Sequence, residues 1–385
     1  MKKIIVSLTI FLFFSASAVV PSISKEAHSP NISSLEKQFD VLHPISRIKN
    51  TVNDKFQNYK GKIYNLWLGN VVDGFVFSPK DIELEDDAFH GSDTLHFTEW
   101  WYFDALLNDG YSIQISIQVF SIINQGFVCA NLNVYQNDEL TASEKKLCNL
   151  LDFYASTDVP FIKLDRKQVM KGYIDNITGD WIYDLSLEID EVSAELRFVG
   201  CTKGWKGITP ISEWGVILPR TEVNGHIKIK NKEINVNGIG YHDHNWGVTI
   251  FAGMNFGWIW GKVNSNDYTV TWSTILTTRF WNKPLLVINK KNDDYMNIEP
   301  DEIHFVAEDF RMKNGMFIPN SFIINANNGY VSLHINIEVL ETHHVRVIGM
   351  INYWRYHVRC MGSITVDSKT ETIDEIQIAE FIRFR

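Results

Sequence analysis

The sequence lacks the short motifs that mark several large classes of enzyme. It has no Walker A loop, no GxGxxG motif, no GxSxG elbow, no HExxH motif and no EF-hand loop. Each of these motifs sets the groups that its chemistry needs at a fixed spacing. Their absence argues against phosphoryl transfer, nicotinamide chemistry and hydrolysis by an elbow serine.

Cysteine is scarce, with four residues in a chain of 385, namely Cys129, Cys148, Cys201 and Cys360. They are widely spaced and include no CxxC pair, which excludes zinc ribbons and thioredoxin-type redox chemistry. One or two disulfides and buried free thiols are both open interpretations of these four residues.

Basic residues are outnumbered, with 36 lysines and arginines against 46 aspartates and glutamates, for a formal net charge of −10. An acidic surface repels phosphate backbones, so nucleic acid is not an expected partner. Peripheral contact with a membrane and the oligomeric state are left open by the sequence.

Long apolar runs are confined to the N-terminus. Two lysines precede an apolar segment over residues 4–14, which is followed by the small residues Ala16, Ser17 and Ala18. This order predicts a secretory signal peptide over residues 1–18, cleaved after Ala18, and therefore an exported protein. An N-terminal membrane anchor is the alternative, although the run is short for a spanning helix.

Alternation with a period of two dominates the chain after a polar linker over residues 19–60. In "YSIQISIQVFSI" (111–122), polar and apolar side chains alternate, which is typical of a strand with two unlike faces. The Asn-Asp-Gly stretch at 108–110 predicts a hairpin turn before this strand. Aromatic residues make up 13% of the chain, which suits a β core or a β-barrel with an apolar cavity.

Many short strands joined by turn residues, without a long amphipathic helix, predict an all-β fold. The length of the chain suits two domains. We expect two lipocalin-like (calycin) antiparallel β-barrels packed together, one over residues 61–247 and one over residues 248–385. Periodicity alone does not separate two barrels from two sandwiches.

The densest group of titratable side chains is "GYHDHNWG" at residues 240–247. Side chains alternate between the faces of a strand, which groups these as His242, His244 and Trp246 against Tyr241, Asp243 and Asn245. A carboxyl group buried beside aromatic rings keeps its proton to a higher pH and can donate it to an alkene, enol or carbonyl. The rings can then stabilise the cation that forms.

Two other interpretations of this motif stay open. His242 and His244 together with a third ligand would make a zinc site, but two histidines two positions apart are a weak signal. Alternatively, the polar groups form a satisfied hydrogen-bond network that closes one end of a barrel.

The stretch "HFTEWWYFDA" sets a carboxylate beside aromatic rings on each face of a strand. Glu99 and Trp101 share one face, and Tyr102 and Asp104 share the other. Either face is a candidate cavity wall. The alternative is an ordinary core in which Glu99 pairs with an arginine such as Arg355.

These stretches together resemble the carotenoid hydratase (hydroxyneurosporene synthase, CrtC) family of double lipocalin-like proteins. The same superfamily includes AttH-type bacterial proteins and lipocalin-like fungal Diels–Alderases. The resemblance rests on "EWWYFDA" (99–105), on "GIGYHDHNWG" (238–247), and on "YWRYHV" followed by "AEFIRF" near the C-terminus. It implies two calycin barrels and a site that works without a cofactor. His244 and Trp246 match the histidine and tryptophan of the hydratase site, whereas its Tyr-x-Asp pair has no counterpart in "DYTVTWSTIL".

We therefore predict a protein that acts on a hydrophobic, isoprenoid- or polyketide-like molecule by cofactor-free acid catalysis, through hydration, isomerisation or cyclisation. A lipocalin-like protein that only binds a hydrophobic ligand is the alternative. The predicted catalytic residues are Tyr241, Asp243, His244 and Trp246, with Asp243 or His244 as the proton donor. The predicted substrate-binding residues are Glu99, Trp101, Tyr102, Asp104, His242, Asn245, Trp258 and Trp260. No metal or other cofactor is predicted.

Overall fold

The described part of the chain folds almost entirely into antiparallel β-strands. The structure, a computed structural model, describes residues 77–91, 96–122, 125–209, 212–248, 257–277, 280–281, 284–347 and 351–383. The predicted signal peptide and linker, and the first residues of the predicted N-terminal domain, lie outside these ranges.

Strands of the first sheet are followed along the chain by those of the second. The first set is β1 (Lys80–Asp81), β2 (His96–Leu107), β3 (Tyr111–Ile122), β4 (Gln125–Gln136), β5 (Glu139–Asn149), β6 (Phe153–Ala155), β7 (Phe161–Leu164), β8 (Lys167–Ile174), β9 (Trp181–Ile189), β10 (Val192–Gly200), β11 (Trp205–Ile208), β12 (Glu213–Ile229) and β13 (Lys232–Val248). The second set is β14 (Gly257–Asn264), β15 (Tyr268–Thr277), β16 (Phe280–Trp281), β17 (Leu285–Lys290), β18 (Tyr295–Ile298), β19 (Ile303–Glu308), β20 (Arg311–Lys313), β21 (Met316–Ile318), β22 (Ser321–Asn327), β23 (Val331–Val347), β24 (Ile351–Val366) and β25 (Lys369–Arg383). Short 3-10 turns occupy Leu84–Asp87, Asn108–Gly110, Leu150–Asp152 and Pro300–Glu302.

The first sheet curls into a nearly closed barrel. Its strand order is β5-β4-β3-β2-β13-β12-β10-β9-β8-β7-β6, with β11 beside β12 and β1 beside β11. Apolar side chains from strands all round the sheet, such as Ile115, Leu132, Leu196 and Ile227, fill its interior. A sheet that buries one continuous core against itself is a barrel and not half of a sandwich.

The second sheet forms a second nearly closed barrel in the order β18-β17-β15-β14-β25-β24-β23-β22-β19, with β16 beside β15. Strands β20 and β21 form a separate two-stranded sheet. The core of the second barrel includes Val270, Ile335 and Trp354. The chain passes from the first sheet to the second between Val248 and Gly257. The expected pair of antiparallel barrels is confirmed.

The predicted Asn-Asp-Gly hairpin is present between β2 and β3. Asp109 and Gly110 adopt left-handed backbone angles, with φ of 55° and 71°. Asp and Gly tolerate this conformation better than most residues, which explains why the turn falls at this point of the sequence.

The polar face of β3 is buried, because the second barrel covers it. Gln114 donates from Nε2 to the Tyr353 hydroxyl at 2.9 Å, and Ser112 Oγ lies 3.2 Å from His357 Nε2. The alternation along β3 therefore separates a barrel core from an interface between barrels, and both faces exclude solvent.

Between the two barrels lies a third buried cluster, which we name the inter-barrel layer. Its buried members are Phe77, Tyr102, Trp205, Trp214, Val216, Tyr241, Trp260, Leu285 and Val287. Six of these nine side chains are aromatic, so the barrels meet through large rigid surfaces that bury apolar area efficiently.

All four cysteines carry free thiols. Of the two interpretations of these residues, the structure shows the free thiols. Among the described residues, no helix has the length and apolar character needed to cross a membrane.

Truncation of the first core tests this packing. Phe198 is fully buried, and its ring centroid lies 5.3 Å from that of Phe103. We expect Phe198→Ala to lower the free energy of unfolding by about 3–5 kcal/mol, because a large cavity remains. Leu151 is 97% exposed, so Leu151→Ala should change it by less than about 0.5 kcal/mol. Urea unfolding monitored by tryptophan fluorescence measures both, and equal effects would contradict the assigned core.

Candidate functional site

Residues 240–244 of strand β13 are buried on both faces of the strand, and each face meets a different environment. In the register with β2, His242 lies opposite Phe103 and Asp243 lies opposite Tyr102. His242 stacks on Phe103 with ring centroids 3.7 Å apart, whereas Asp243 faces the inter-barrel layer with Tyr102. The predicted alternation is confirmed. It divides the predicted catalytic residues into Tyr241 and Asp243 on one side and His244 and Trp246 on the other.

A buried ion pair crosses the inter-barrel layer. Lys262 on β14 donates from Nζ to both carboxylate oxygens of Asp104 on β2, at 2.7 Å each. Both side chains are almost fully buried. The Lys262 ammonium also lies 4.7 Å from the ring centroid of Tyr241. Removing either charge leaves the other without its counter-charge in a region from which water is excluded.

A second polar group in the layer surrounds Glu380 on β25. The hydroxyls of Tyr102 and Tyr353 each lie 2.5 Å from its Oε1, and Trp260 donates from Nε1 to its Oε2 at 3.2 Å. Arg355 donates from Nη1 to the Tyr102 hydroxyl at 2.9 Å and lies 3.6 Å from Glu380. Burial raises the pKa of Glu380, and Arg355 opposes this shift.

The carboxyl group of Asp243 has one occupied oxygen and one nearly free oxygen. Oδ2 accepts from the Tyr241 hydroxyl at 2.9 Å and from Trp214 Nε1 at 3.0 Å. Within the described ranges, Oδ1 is contacted by the Asn245 amide alone, at 3.5 Å, which is too long for a strong hydrogen bond. A proton on this carboxyl group therefore belongs on Oδ1, because two donors already point at Oδ2.

Burial raises the pKa of Asp243 to about 7, although the donors Trp214 and Tyr241 oppose the shift and the charges of Glu380 and Asp104 add to it. No cation forms an ion pair with Asp243 among the described residues. Three buried carboxyl groups thus face two buried cations, and one proton on Asp243 balances the charge.

A different set of groups lies at the opposite face of β13, and we name it the inner cluster. It consists of His242 and His244 on β13 together with Asp87, His90 and Glu99 from earlier in the chain. His242 bonds through Nδ1 to the Tyr102 carbonyl at 2.9 Å and through Nε2 to Asp87 Oδ2 at 3.0 Å. His244 lies between two carboxylates, with Nδ1 3.1 Å from Asp87 Oδ1 and Nε2 3.0 Å from Glu99 Oε1.

These carboxylates set the protonation of the inner cluster. Although burial opposes it, hydrogen bonds and charges from Asp87 and Glu99 raise the pKa of His244 to about 9. Although burial opposes this shift as well, charges and hydrogen bonds from His242 and His244 lower the pKa of Asp87 to about 2. In the absence of another cation, His244 is therefore an imidazolium at neutral pH.

Two sequence interpretations are corrected here. Glu99 does not pair with Arg355, since its partner is His244 on the neighbouring strand. His242 and His244 do not form a pair of metal ligands, because both ring nitrogens of His242 already have partners.

The remaining predicted site residues divide in the same way. Trp101 stacks on His244 with centroids 4.5 Å apart, and Trp246 stacks on His90 at 4.3 Å, so both belong with the inner cluster. Trp258 packs against the inter-barrel layer and stacks on Trp100 at 6.2 Å.

A groove of about 390 Å³ opens between the barrels. Strands β2, β13 and β14 each contribute one side chain to the lining of this groove. Two positions away on the same face, each strand places a second side chain in the inter-barrel layer. The lining residues are Leu106, Ile239 and Asn264, and the layer residues are Asp104, Tyr241 and Lys262. Glu375 also lines the groove, and burial raises its pKa to about 7. Asp243 does not line the groove and lies four positions along β13 from Ile239, which does.

Sequence reasoning missed the partners that complete both groups. They are Asp87, His90, Trp214, Lys262, Tyr353 and Glu380, whereas Arg355 was considered only as a partner of Glu99. A usable signal was present for some of them: a charged residue inside an otherwise apolar strand, such as Lys262 in "WIWGKV" or Glu380 in "IAEFIRF". Lysine and glutamate are almost never buried unless they are paired.

Breaking the buried pair tests the layer. We expect Lys262→Met to lower the free energy of unfolding by about 3–5 kcal/mol, because Asp104 stays buried without its cation. Adding Asp104→Asn to the same chain should recover most of that loss. The exposed pair of Lys167 and Glu188 provides the control, since Lys167→Met should cost less than about 1 kcal/mol. Equal losses in the two lysine variants, measured by urea unfolding, would contradict the buried pair.

The pH dependence of stability tests Asp243. Its raised pKa means that, from about pH 4 to pH 7, the unfolded chain releases this proton while the folded protein keeps it. This group therefore lowers stability as the pH rises through that window. Relative to the native protein, Asp243→Asn should gain stability as the pH rises from about 4 to about 7, by up to about 4 kcal/mol. The exposed Glu233→Gln variant should show no such gain, and a pH-independent difference for Asp243→Asn would contradict the shift.

Comparison with known proteins supports the fold. No protein-family model matches the sequence, and no curated protein matches it. Among solved structures, a protein assigned as AttH from Nitrosomonas europaea aligns with a TM-score of 0.59 at 14% identity, over 80% of this chain and 98% of that one. Kievitone hydratase from Nectria haematococca aligns at 0.49 with 9% identity, over 79% and 93% of the two chains. CghA with Sch210972 aligns at 0.47 with 10% identity, over 80% and 98%. The first alignment shows that this chain has the AttH-type double-barrel fold, as the resemblance implied.

Proposed function

We propose that this protein binds an apolar small molecule between its barrels and protonates it without a cofactor, with Asp243 as the proton donor. The observation that carries the proposal is the Asp243 carboxyl group, whose pKa of about 7 allows it to hold a proton at neutral pH. A general acid works best when its pKa lies near the working pH.

The hydrogen bonds of Asp243 support a directed transfer. Tyr241 and Trp214 fix Oδ2, so the proton on Oδ1 is the one available to a substrate. With an alkene, the π electrons form a new C–H bond with this proton, and the neighbouring carbon becomes a cation. Water then captures the cation and returns a proton to the carboxylate, which completes a hydration. Loss of a proton from the cation to the same carboxylate would instead complete an isomerisation.

The charges of the layer favour this cation. Once Asp243 has given up its proton, it is one of three carboxylates in the layer, and the other two are Asp104 and Glu380. These three negative charges face the two cations Lys262 and Arg355. The layer is then negative by one charge at the stage when the substrate is positive. Fixed charges in a region without water stabilise such an intermediate more strongly than the same charges in solution.

The groove offers a route for the substrate. Most of its lining is polar, with side chains such as Arg220, Asn264 and Glu375, and strands β2, β13 and β14 run from this lining to the aromatic residues of the layer. Stacked side chains such as Tyr241 and Trp260, with centroids 5.0 Å apart, suit a flat unsaturated molecule of isoprenoid or polyketide type.

A carrier without catalysis is the second candidate. The observation that favours it is the position of Asp243, which does not line the groove. In a carrier, a ligand would occupy the groove and Asp243 would serve only as part of the interface between the barrels.

Protonation leaves an isotopic record that separates the two. The protein is incubated in D₂O with a panel of acyclic isoprenoid alkenes and enolisable polyketide-type molecules, and deuterium in the recovered compounds is measured by mass spectrometry. We expect the native protein and Glu233→Gln to introduce deuterium at carbon into one substrate class. Asp243→Asn should still bind that class but lower the rate by about 100-fold or more.

Infrared spectroscopy at pH 6 provides a check that needs no substrate. A carboxylic acid band should be present in the native protein and reduced in Asp243→Asn. Equal binding by native and Asp243→Asn proteins without deuterium transfer would support the carrier. An ionised Asp243 at pH 6 would overturn the acid catalyst directly.

A further inference from the structure

The inner cluster brings three potential metal ligands to one point. These are His90 after the Leu84–Asp87 turn, Glu99 on β2 and His244 on β13. His244 Nε2 lies 3.0 Å from Glu99 Oε1, and His90 Nδ1 lies 3.5 Å from the same oxygen. All three donor atoms lie within 4.8 Å of one another.

These distances suit one shared ion. Two ligand atoms bound tetrahedrally at 2.0–2.2 Å from zinc are about 3.3–3.6 Å apart. The observed 3.5 Å lies within that range, and the observed 3.0 Å is slightly shorter. The longest separation involves His90, whose side chain is 29% exposed and can therefore adjust. Two imidazoles and one carboxylate form a donor set that zinc uses in sites with an open fourth position.

Neighbouring groups hold each ligand in the orientation that binding requires. Nδ1 of His244 lies 3.1 Å from Asp87 Oδ1, close enough for an ion pair although the two atoms are not aligned for a hydrogen bond. A histidine that binds a metal usually has a carboxylate beside its other ring nitrogen, and Asp87 takes that place here. Glu99 accepts backbone N–H groups from His90 at 2.9 Å and from Gly91 at 3.0 Å.

The plane of the His90 ring is set by stacking on Trp246, with centroids 4.3 Å apart and an angle of 1° between the planes, which leaves the ring free to move parallel to that plane. Its exposure gives the cluster a path to solvent, whereas Glu99 and His244 are almost fully buried. An ion could thus enter from the His90 side, where it would replace the Nε2 proton of His244.

We propose that His90, Glu99 and His244 bind a divalent transition-metal ion, for which zinc is the best match, with Asp87 orienting His244. The site uses the face of β13 opposite to Asp243, so this proposal is independent of the proposed function. The competing arrangement without a metal is an imidazolium on His244 between the two carboxylates.

Metal content tests the proposal with the full-length protein, expressed without a polyhistidine tag. The protein is stripped with a chelator, incubated with Zn²⁺ or Co²⁺, desalted, and analysed by plasma mass spectrometry and visible absorption. The native protein should retain about one ion per chain and, with Co²⁺, show the absorption bands of a four- or five-coordinate nitrogen and oxygen site.

Two variants assign that ion to this site. His90→Gln changes a partly exposed side chain and should fold, yet weaken zinc binding by about tenfold or more. His334→Gln alters an exposed histidine on β23 and should bind zinc as the native protein does. Where His90→Gln and His334→Gln bind equally, or where the native protein retains no ion, the metal site is overturned in favour of the imidazolium.

Discussion

Burial of residues 240–244 of β13 on both faces of the strand is the constraint on which the rest of the structure depends. A strand in a barrel wall ordinarily has one face in the core and one in water. Here the second barrel covers the outer face, so every polar side chain from residue 241 to residue 245 must find a partner inside the protein. The ion pair of Lys262 with Asp104, the tyrosines around Glu380 and the carboxylates around His244 are the partners that this requirement selects.

The same constraint explains why one short motif supports two kinds of chemistry. On the outer face, three carboxyl groups share two cations, and the excess is resolved by a proton on Asp243. On the inner face, Asp87 and Glu99 converge on His244, so a positive charge is favoured there. The negative set on the outer face and the positively charged His244 on the inner face are separated only by the backbone of β13. No side chain of β13 takes part in both sets.

Local pattern was enough to predict the strands, the hairpin at 108–110 and the faces of β13, because each depends on residues close together in the sequence. The partners of the site were not predictable in this way. Asp104 and Lys262 are 158 positions apart, and a period of two says nothing about which strands meet across an interface. The arginine suggested for Glu99 was wrong for the same reason, since a histidine on the adjacent strand lies nearer.

The contact of Tyr102 with Glu380 joins residues 278 positions apart in the sequence. Closing so long a loop is entropically costly, so such contacts form after the local hairpins are in place. The first barrel can complete its own strand pairing before β25 arrives, but its outer face then carries Asp104 and Asp243 in water. An aspartate carboxyl group in water is ordinarily ionised at neutral pH. The shifted acidity of Asp243 is thus not a property of its own barrel alone, because it depends on burial beneath the second barrel and on the charge of Glu380.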